Sequence, residues 1–281
     1  MGTLNGRIAV VTGASAGIGL AVAEELALQG ARVVINARRA EVLKGVADAI
    51  NARNPGQAVC VTVAGDASEQ GVIDQMLNTA KRSFGAEADL IVVNAGRGLN
   101  GSVLTSDVTQ WDEMVRTNVL GAAALMRSAA KRLTSLVPES ETGQEGAWLR
   151  RSGRDMIVLG SCVGRNVSPY SSMYGGTKFA VHGMVEGVRR ELASKGVRVS
   201  LVEPGFVVSE FQGVAGYDPA WFKGVMERSG SDRLLTRRTL RGRSRLSLRS
   251  RRTCTWRTSW CGRRGRTIPE ARLRAGLSGG S

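Results

Sequence analysis

The sequence predicts an α/β fold, with one doubly wound parallel sheet sandwiched between helices in three α/β/α layers. Three observations lead there. Short apolar runs alternate with longer helical segments from residue 8 to about residue 203, the pattern of parallel strands joined by crossover helices. The strand-length runs are largely continuous in apolar character, as strands covered on both faces must be. The first run passes through a glycine-rich turn into a helix, Ile-Ala-Val-Val-Thr-Gly-Ala-Ser-Ala-Gly-Ile-Gly at residues 8–19.

Residues 7–12 are the first strand. Gly13 allows the tight turn, Gly17 lets backbone amides approach a pyrophosphate, and Gly19 lets the next helix sit close to the sheet. That helix covers about 18–28 and stops at Gly30. A junction with incidental glycines is the plain alternative, but the order of the glycines matches a dinucleotide turn and makes the sheet Rossmann-type. Residues 31–36 are the second strand, whose end would read an adenosine ribose. A carboxylate there would bind a free 2′-hydroxyl and repel a 2′-phosphate. The chain has Ala37, Arg38 and Arg39 instead. Arg38, supported by Arg39, is placed to pair with a phosphate, which favours NADP(H) over NAD(H). A solvated arginine pair is the competing reading.

Residues 40–53 read as a helix and 59–64 as the third strand. Asp66 follows, where an ordinary N-cap of the next helix is one reading. A helix over 70–82 leads to the fourth strand, 89–94, which ends at Asn94-Ala95-Gly96, small enough to leave room for a cofactor. Residues 108–136 read as one long helix containing Asn118; an asparagine in mid-helix is usually solvent-exposed. Residues 138–154 look like a polar surface insertion. Residues 197–203 are the sixth strand, turned by Pro204-Gly205, and the aromatics Phe206, Phe211, Tyr217, Trp221 and Phe222 crowd the segment after it. They are placed to lid a pocket or simply to pack a helix.

The chemistry concentrates in residues 161–178. The apolar run 156–159 delivers the chain to Gly160 and Ser161, a loop rich in Ser, Pro and Tyr follows, and a helix begins near Met173. Tyr174 and Lys178 are four apart and share a helix face. A free phenol ionises near pKa ~10, and a fixed cation beside it is expected to pull that value down, so that the phenol can exchange a proton near neutrality. Ser161, at a strand's carboxyl end, would hold a substrate oxygen within reach of both.

Together these motifs resemble the short-chain dehydrogenase/reductase family. The family's Thr-Gly-x-x-x-Gly-x-Gly matches Thr12, Gly13, Gly17 and Gly19. Its Asn-Ala-Gly matches Asn94, Ala95 and Gly96, its helical asparagine Asn118, and its catalytic set Ser161, Tyr174 and Lys178. The resemblance covers residues 4 to about 236. It implies a catalytic role for Asn118, Ser161, Tyr174 and Lys178, with Asn118 holding a water in the proton path to the lysine and Lys178 binding the nicotinamide ribose. It also implies cofactor contacts at Ser15, Ile18 and Asp66, at Pro204 and Gly205, and at Val207 and Ser209, where Ser replaces a commoner Thr.

The net charge of +15 suggests nucleic acid at first sight. It is not evenly spread. Residues 237–281 hold 14 Arg and one acid, leaving residues 1–236 with 25 basic and 23 acidic of the chain's 39 and 24. The expected domain, 1–236, is therefore nearly neutral. From Arg237 the composition shifts to Arg, Ser, Thr, Trp and Cys with no helical or strand periodicity. The tail is expected to be disordered and reads as a frameshift product. Joining each codon's third base to the next codon's first two forces an apolar residue at the junctions entering Cys254, Trp256, Trp260 and Cys261, and valine at the last. A single deleted base near codon 236 would replace the helix and final central strand that the resemblance calls for. A genuine basic tail is the alternative.

The expected function is hydride transfer between NADP(H) and a carbonyl or secondary-alcohol substrate, with Tyr174 as general acid/base and no metal. A catalytically silent dinucleotide-binding regulator is the rival, and the intact Ser161–Tyr174–Lys178 set argues against it. Nucleic-acid binding through the tail is a second rival. The four cysteines show no Cys-x-x-Cys spacing, and no apolar run is long enough to span a bilayer; both point to a cytoplasmic protein without a membrane partner. By resemblance, a homo-oligomer, dimer or tetramer, is expected if the C-terminus were intact.

Overall fold

The computed structural model describes residues 3–136, 153–166, 169–205, 207, 209–220 and 224. The expectations for most of the 138–154 insertion, for Phe206, Trp221 and Phe222, and for the 237–281 tail lie outside the described residues.

Six strands form one sheet: β1 (Ile8–Thr12), β2 (Arg32–Ala37), β3 (Cys60–Ala64), β4 (Leu90–Val93), β5 (Asp155–Leu159) and β6 (Arg198–Val202). Their order is β3-β2-β1-β4-β5-β6, and every neighbouring pair is parallel. All five β1 residues are buried because the sheet has a core on each face. Ile8 and Val10 point to one side, against Ile73, Leu125 and Val181. Ala9 and Val11 point to the other, against Leu26, Leu43 and Ile50. This two-sided burial is why the strands read as unbroken apolar runs.

The helices supplying these faces are α1 (Gly17–Leu28) and α2 (Ala40–Asn51) on one side. On the other lie α3 (Gln70–Phe84), α5 (Ala122–Ser135) and α6 (Ser172–Ala193). Helix α3 ends where Gly85 adopts a left-handed φ of 80° and returns its N–H to the Lys81 carbonyl at 2.9 Å, with Lys81 and Arg82 complementing the negative end of the helix dipole.

The single long helix expected over 108–136 is a composite. A 3₁₀ turn (Val108–Gln110) leads into α4 (Trp111–Val115), then a π-helical stretch (Arg116–Gly121), then α5. The wide π turn carries Asn118, which is 2% exposed. The solvated asparagine usual in mid-helix is not what is found here. A π stretch inside a helix is a recurrent mark of a functional position.

At the end of the sheet away from these turns, Arg7 binds Asp89 at 2.6 Å and Asp155 at 2.9 Å, and Arg198 binds Asp155 at 2.5 Å. Asp155 is 1% exposed and shared by two guanidiniums, so removing it takes a carboxylate partner from both Arg7 and Arg198. Asp155→Ala is expected to destabilise the protein by about 3–5 kcal/mol, read as a lowered urea midpoint with an unchanged m-value. A midpoint within error of wild type would show the cluster to be solvated.

Chain order reverses between β1 and β4: successive strands are added toward one edge of the sheet from β1 to β3, and toward the other edge from β4 to β6. A crevice must open beyond their carboxyl ends.

Candidate active site

A cavity of about 500 Å³ occupies that crevice. Its floor is the glycine turn. Gly13 and Gly17 have left-handed φ values of 66° and 56°. A Cβ on Gly19 would stand 2.3 Å from the Gly13 carbonyl oxygen, so only glycine lets α1 start this close to β1. The helix has no side-chain cap on its first amides, which leaves them for an anion in the crevice. Thr12 ties the turn to β4. Its Oγ1 accepts from the backbone N–H of Asn94 and of Ala95, each at 3.0 Å. Asn94 in turn donates Nδ2 to the carbonyls of Thr12 (2.8 Å) and Gly13 (3.2 Å). Asn94 thus braces the turn as well as leaving space. These features, an uncapped helix start and a backbone cradle that a Cβ would fill, fit a dinucleotide pyrophosphate.

Beyond the end of β2, Arg38 and Arg39 line the cavity with Ser15, Ile18 and Asp66. Neither arginine is simply solvated. Arg38 pairs with Glu113 at 2.9 Å, while Arg39 pairs with Glu210 at 2.8 Å and donates to Ser15 Oγ at 3.2 Å. Glu113 also binds Arg97, whose guanidinium reaches Gln110 as well. Asp66 Oδ1 accepts from the Ser68 N–H at 2.8 Å; the residue preceding α3 is Glu69, so Asp66 is a turn residue facing the crevice and not the helix cap.

The catalytic candidates converge on the opposite wall. Ser161 follows β5, and its Oγ accepts from the Val163 N–H at 3.4 Å. Its hydroxyl faces the Tyr174 phenol, where it acts to lower the phenol's pKa. Tyr174 keeps partial exposure along the crevice, but its phenol end is enclosed, with the Phe211 ring tilted against it at 5.6 Å between centroids. Lys178 is buried and donates Nζ to the Leu159 carbonyl at 2.9 Å. Asn118 Oδ1 accepts from the Arg97 N–H at 2.8 Å, and its Nδ2 donates to the Arg97 carbonyl (2.8 Å) and Thr177 Oγ1 (3.0 Å).

The electrostatics differ from the expectation that Lys178 lowers the phenol. Burial pushes Tyr174 well above its ordinary value, the Ser161 hydroxyl opposes this, and Cys162 and Tyr217 add to the rise. Burial also pulls Lys178 down to about 8. Its Nζ lies 5.8 Å from the Tyr174 ring centre and is turned to a carbonyl, so desolvation outweighs the cation's pull. The depressed lysine has a consequence for stability. A base whose folded pKa lies below its unfolded 10.5 gives a fold most stable above 10.5 and progressively less stable as pH falls toward 8. Relative to a Lys178→Met variant, wild type is expected to lose roughly 2–3 kcal/mol between pH 10.5 and pH 7.5. Urea unfolding of the two proteins at both pH values measures it; a gap independent of pH would contradict the buried ammonium.

The segment after β6 closes the crevice. Pro204, Gly205, Val207 and Ser209 all line it, and Ser209 Oγ accepts from the Phe211 N–H at 3.2 Å at the start of α7 (Phe211–Val214). Of the five aromatics suggested as a lid, Phe211 and Tyr217 line the cavity. Arg97, which follows Asn94-Ala95-Gly96 and is expected to line the path beyond it, does so; Glu113, Glu210, Tyr170 and Gln212 line it too and were not singled out from the sequence. Among the described residues no cluster of three His, Cys, Asp or Glu side chains could hold a metal ion, and no helix is long and apolar enough to cross a membrane.

The comparisons agree with this architecture. An uncharacterized oxidoreductase of Staphylococcus aureus strain MW2 is 31% identical over 220 residues, 78% of this chain and 85% of the relative. A short-chain type dehydrogenase/reductase from Mycobacterium marinum superposes with a TM-score of 0.72 at 27% identity, over 88% of this chain and 90% of the other. A 3-ketoacyl-(acyl-carrier-protein) reductase from Brucella melitensis, complexed with NADH, has the same fold, with a TM-score of 0.72 at 23% identity over 87% and 91%. The family model described as short chain dehydrogenase matches residues 7–218, most of the described domain, and the chain belongs to the short-chain dehydrogenase/reductase family of oxidoreductases.

Proposed function

We propose that this oxidoreductase reduces a carbonyl, or oxidises the corresponding secondary alcohol, using NADP(H), with Tyr174 as the proton donor and acceptor. The observation that carries the reading is the convergence of Ser161 and Tyr174 on the crevice, with Lys178 buried one helical turn beyond the tyrosine. A bound nicotinamide would supply the hydride chemistry. Burial keeps the phenol protonated at neutral pH, the form that reduction requires, and Tyr174 Oη passes that proton to the substrate oxygen. Ser161 Oγ donates to the same oxygen as charge develops there. Asn118 supports the relay by fixing the Arg97 backbone and Thr177, the residue before Lys178. The preference for NADP(H) rests on Arg38 and Arg39, which line the cavity beyond the end of β2. A cytoplasmic location and a small-molecule carbonyl or alcohol substrate are part of the same reading.

The test is a screen of aldehydes, ketones and 3-oxo esters with NADPH, followed by loss of cofactor absorbance. At least one compound is expected to drive oxidation; cofactor binding without oxidation across the panel would favour a silent binder. We also read residues 237–281 as out of frame. If restoring one base near codon 236 of the coding DNA opens no frame with a helix and an apolar strand, that proposal is wrong.

A further inference from the structure

The chain has one histidine, His182, and none of the roles above uses it. It lies on α6 eight residues beyond Tyr174 and four beyond Lys178, on the same helix face. Its imidazole fits under the loop that presents Ser161. A Cβ on Gly160 would stand 2.3 Å from Nε2, and one on Gly164 would stand 2.4 Å from Cε1. Glycines on both sides of the serine loop therefore make room for this ring.

The hydrogen bonding fixes which nitrogen carries the proton. Gly160 and Cys162 give their N–H groups to the carbonyls of Val202 (2.8 Å) and Pro204 (3.0 Å). The amide between them, that of Ser161, points elsewhere and donates to His182 Nε2 at 3.3 Å. An amide can only donate, so Nε2 must be bare and a neutral ring must carry its proton on Nδ1. Nδ1 stands 3.2 Å from Glu203 Oε1, an acceptor that is itself buried and paired with Arg165. The side chains of His182 and Glu203 are only 11% and 7% exposed.

We propose that His182 is a positioning residue for Ser161: Glu203 holds it in the Nδ1–H tautomer, and its Nε2 anchors the serine's backbone so that the hydroxyl stays on Tyr174. Arg165 orients Glu203 by binding the same oxygen, Oε1. Burial lowers the imidazole's affinity for protons; Glu203 raises it, and Arg165 and Lys178 lower it again. These are the charged groups facing the ring. Protonation would put a donor against the Ser161 N–H and break the anchor.

Because the chain has a single histidine, ¹⁵N-labelled, tag-free, full-length protein gives one unambiguous imidazole spectrum. The expected pattern is a protonated Nδ1 and a bare Nε2 at neutral pH, persisting below the ordinary histidine midpoint of about 6.5. An Nε2–H tautomer, or titration at the ordinary midpoint, overturns the proposal. This arm is independent of the proposed reaction. The kinetic arm rests on it. Glutamine can place an acceptor where Nε2 is, whereas asparagine reaches only as far as Nδ1. His182→Gln is expected to keep kcat within about threefold, and His182→Asn to lose about tenfold or more, with KM for NADPH unchanged in both. Equal losses in the two variants would reduce His182 to a packing residue. If neither variant folds, the wild-type spectrum alone decides.

Discussion

Tyr174→Phe is expected to lower kcat by about 10²–10⁴-fold, the usual contribution of a positioned general acid. Dissociation constants for NADPH should move by less than about twofold. The ring keeps its place beside Phe211, and the substitution removes only the hydroxyl that faces Ser161. Ser161 retains the Val163 N–H as a partner, so the loss in folding stability should be no more than about 1 kcal/mol, the net value of one hydrogen bond. Steady-state rates, fluorescence titration of NADPH and a urea melt separate the three effects. Retention of most of the activity in a folded variant would remove Tyr174 from the mechanism.

Arg38→Asp should turn the cofactor preference from NADP(H) toward NAD(H), changing the ratio of kcat/KM values by about 10²-fold. That figure combines the loss of a charge-assisted bond of about 1.5–3 kcal/mol with the introduction of a ribose acceptor. The structure sharpens this expectation, because Glu113 already sits on Arg38 at 2.9 Å. A 2′-phosphate has to compete with that carboxylate, and the new aspartate would face it. Arg39, paired with Glu210, would remain as a weaker phosphate partner and limit the switch. An unchanged ratio would show that neither the arginine nor its pairing with Glu113 reads the ribose.

The parts of this molecule legible in its sequence are those set by local chemistry. β1 and β5 show as apolar runs because both faces of the sheet are covered. The glycine turn shows because a left-handed φ at Gly13 and Gly17 and the contact at Gly19 admit little else. Tyr174 and Lys178 show because four residues are about one helical turn. What stayed hidden depends on distant segments meeting. Apolar periodicity does not register the slip of one residue that widens the helix at Asn118 into a π turn. Glu113 on α4 and Glu210 just before α7 come from distant parts of the chain to pair with Arg38 and Arg39. The expected lowering of the phenol weighed the lysine's charge without its desolvation, and the enclosed site reverses the balance. His182 did leave a signal, since it continues the 174, 178 spacing by one more turn.

The central claim is that hydride passes between a nicotinamide and a substrate carbon while Tyr174 handles the proton. Deuterium placed at the reactive position of NADPH tests it most directly. Incubation with a ketone that the screen identifies, followed by mass spectrometry and NMR of the product, should show one deuterium on the carbinol carbon with wild-type protein. The Tyr174→Phe variant should form little or no such product. Because of the composition break at residue 237, the measurement belongs on both the chain as written and one with the reading frame restored. Alcohol formed without deuterium on that carbon, or equal labelled product from wild type and Tyr174→Phe, would contradict the account.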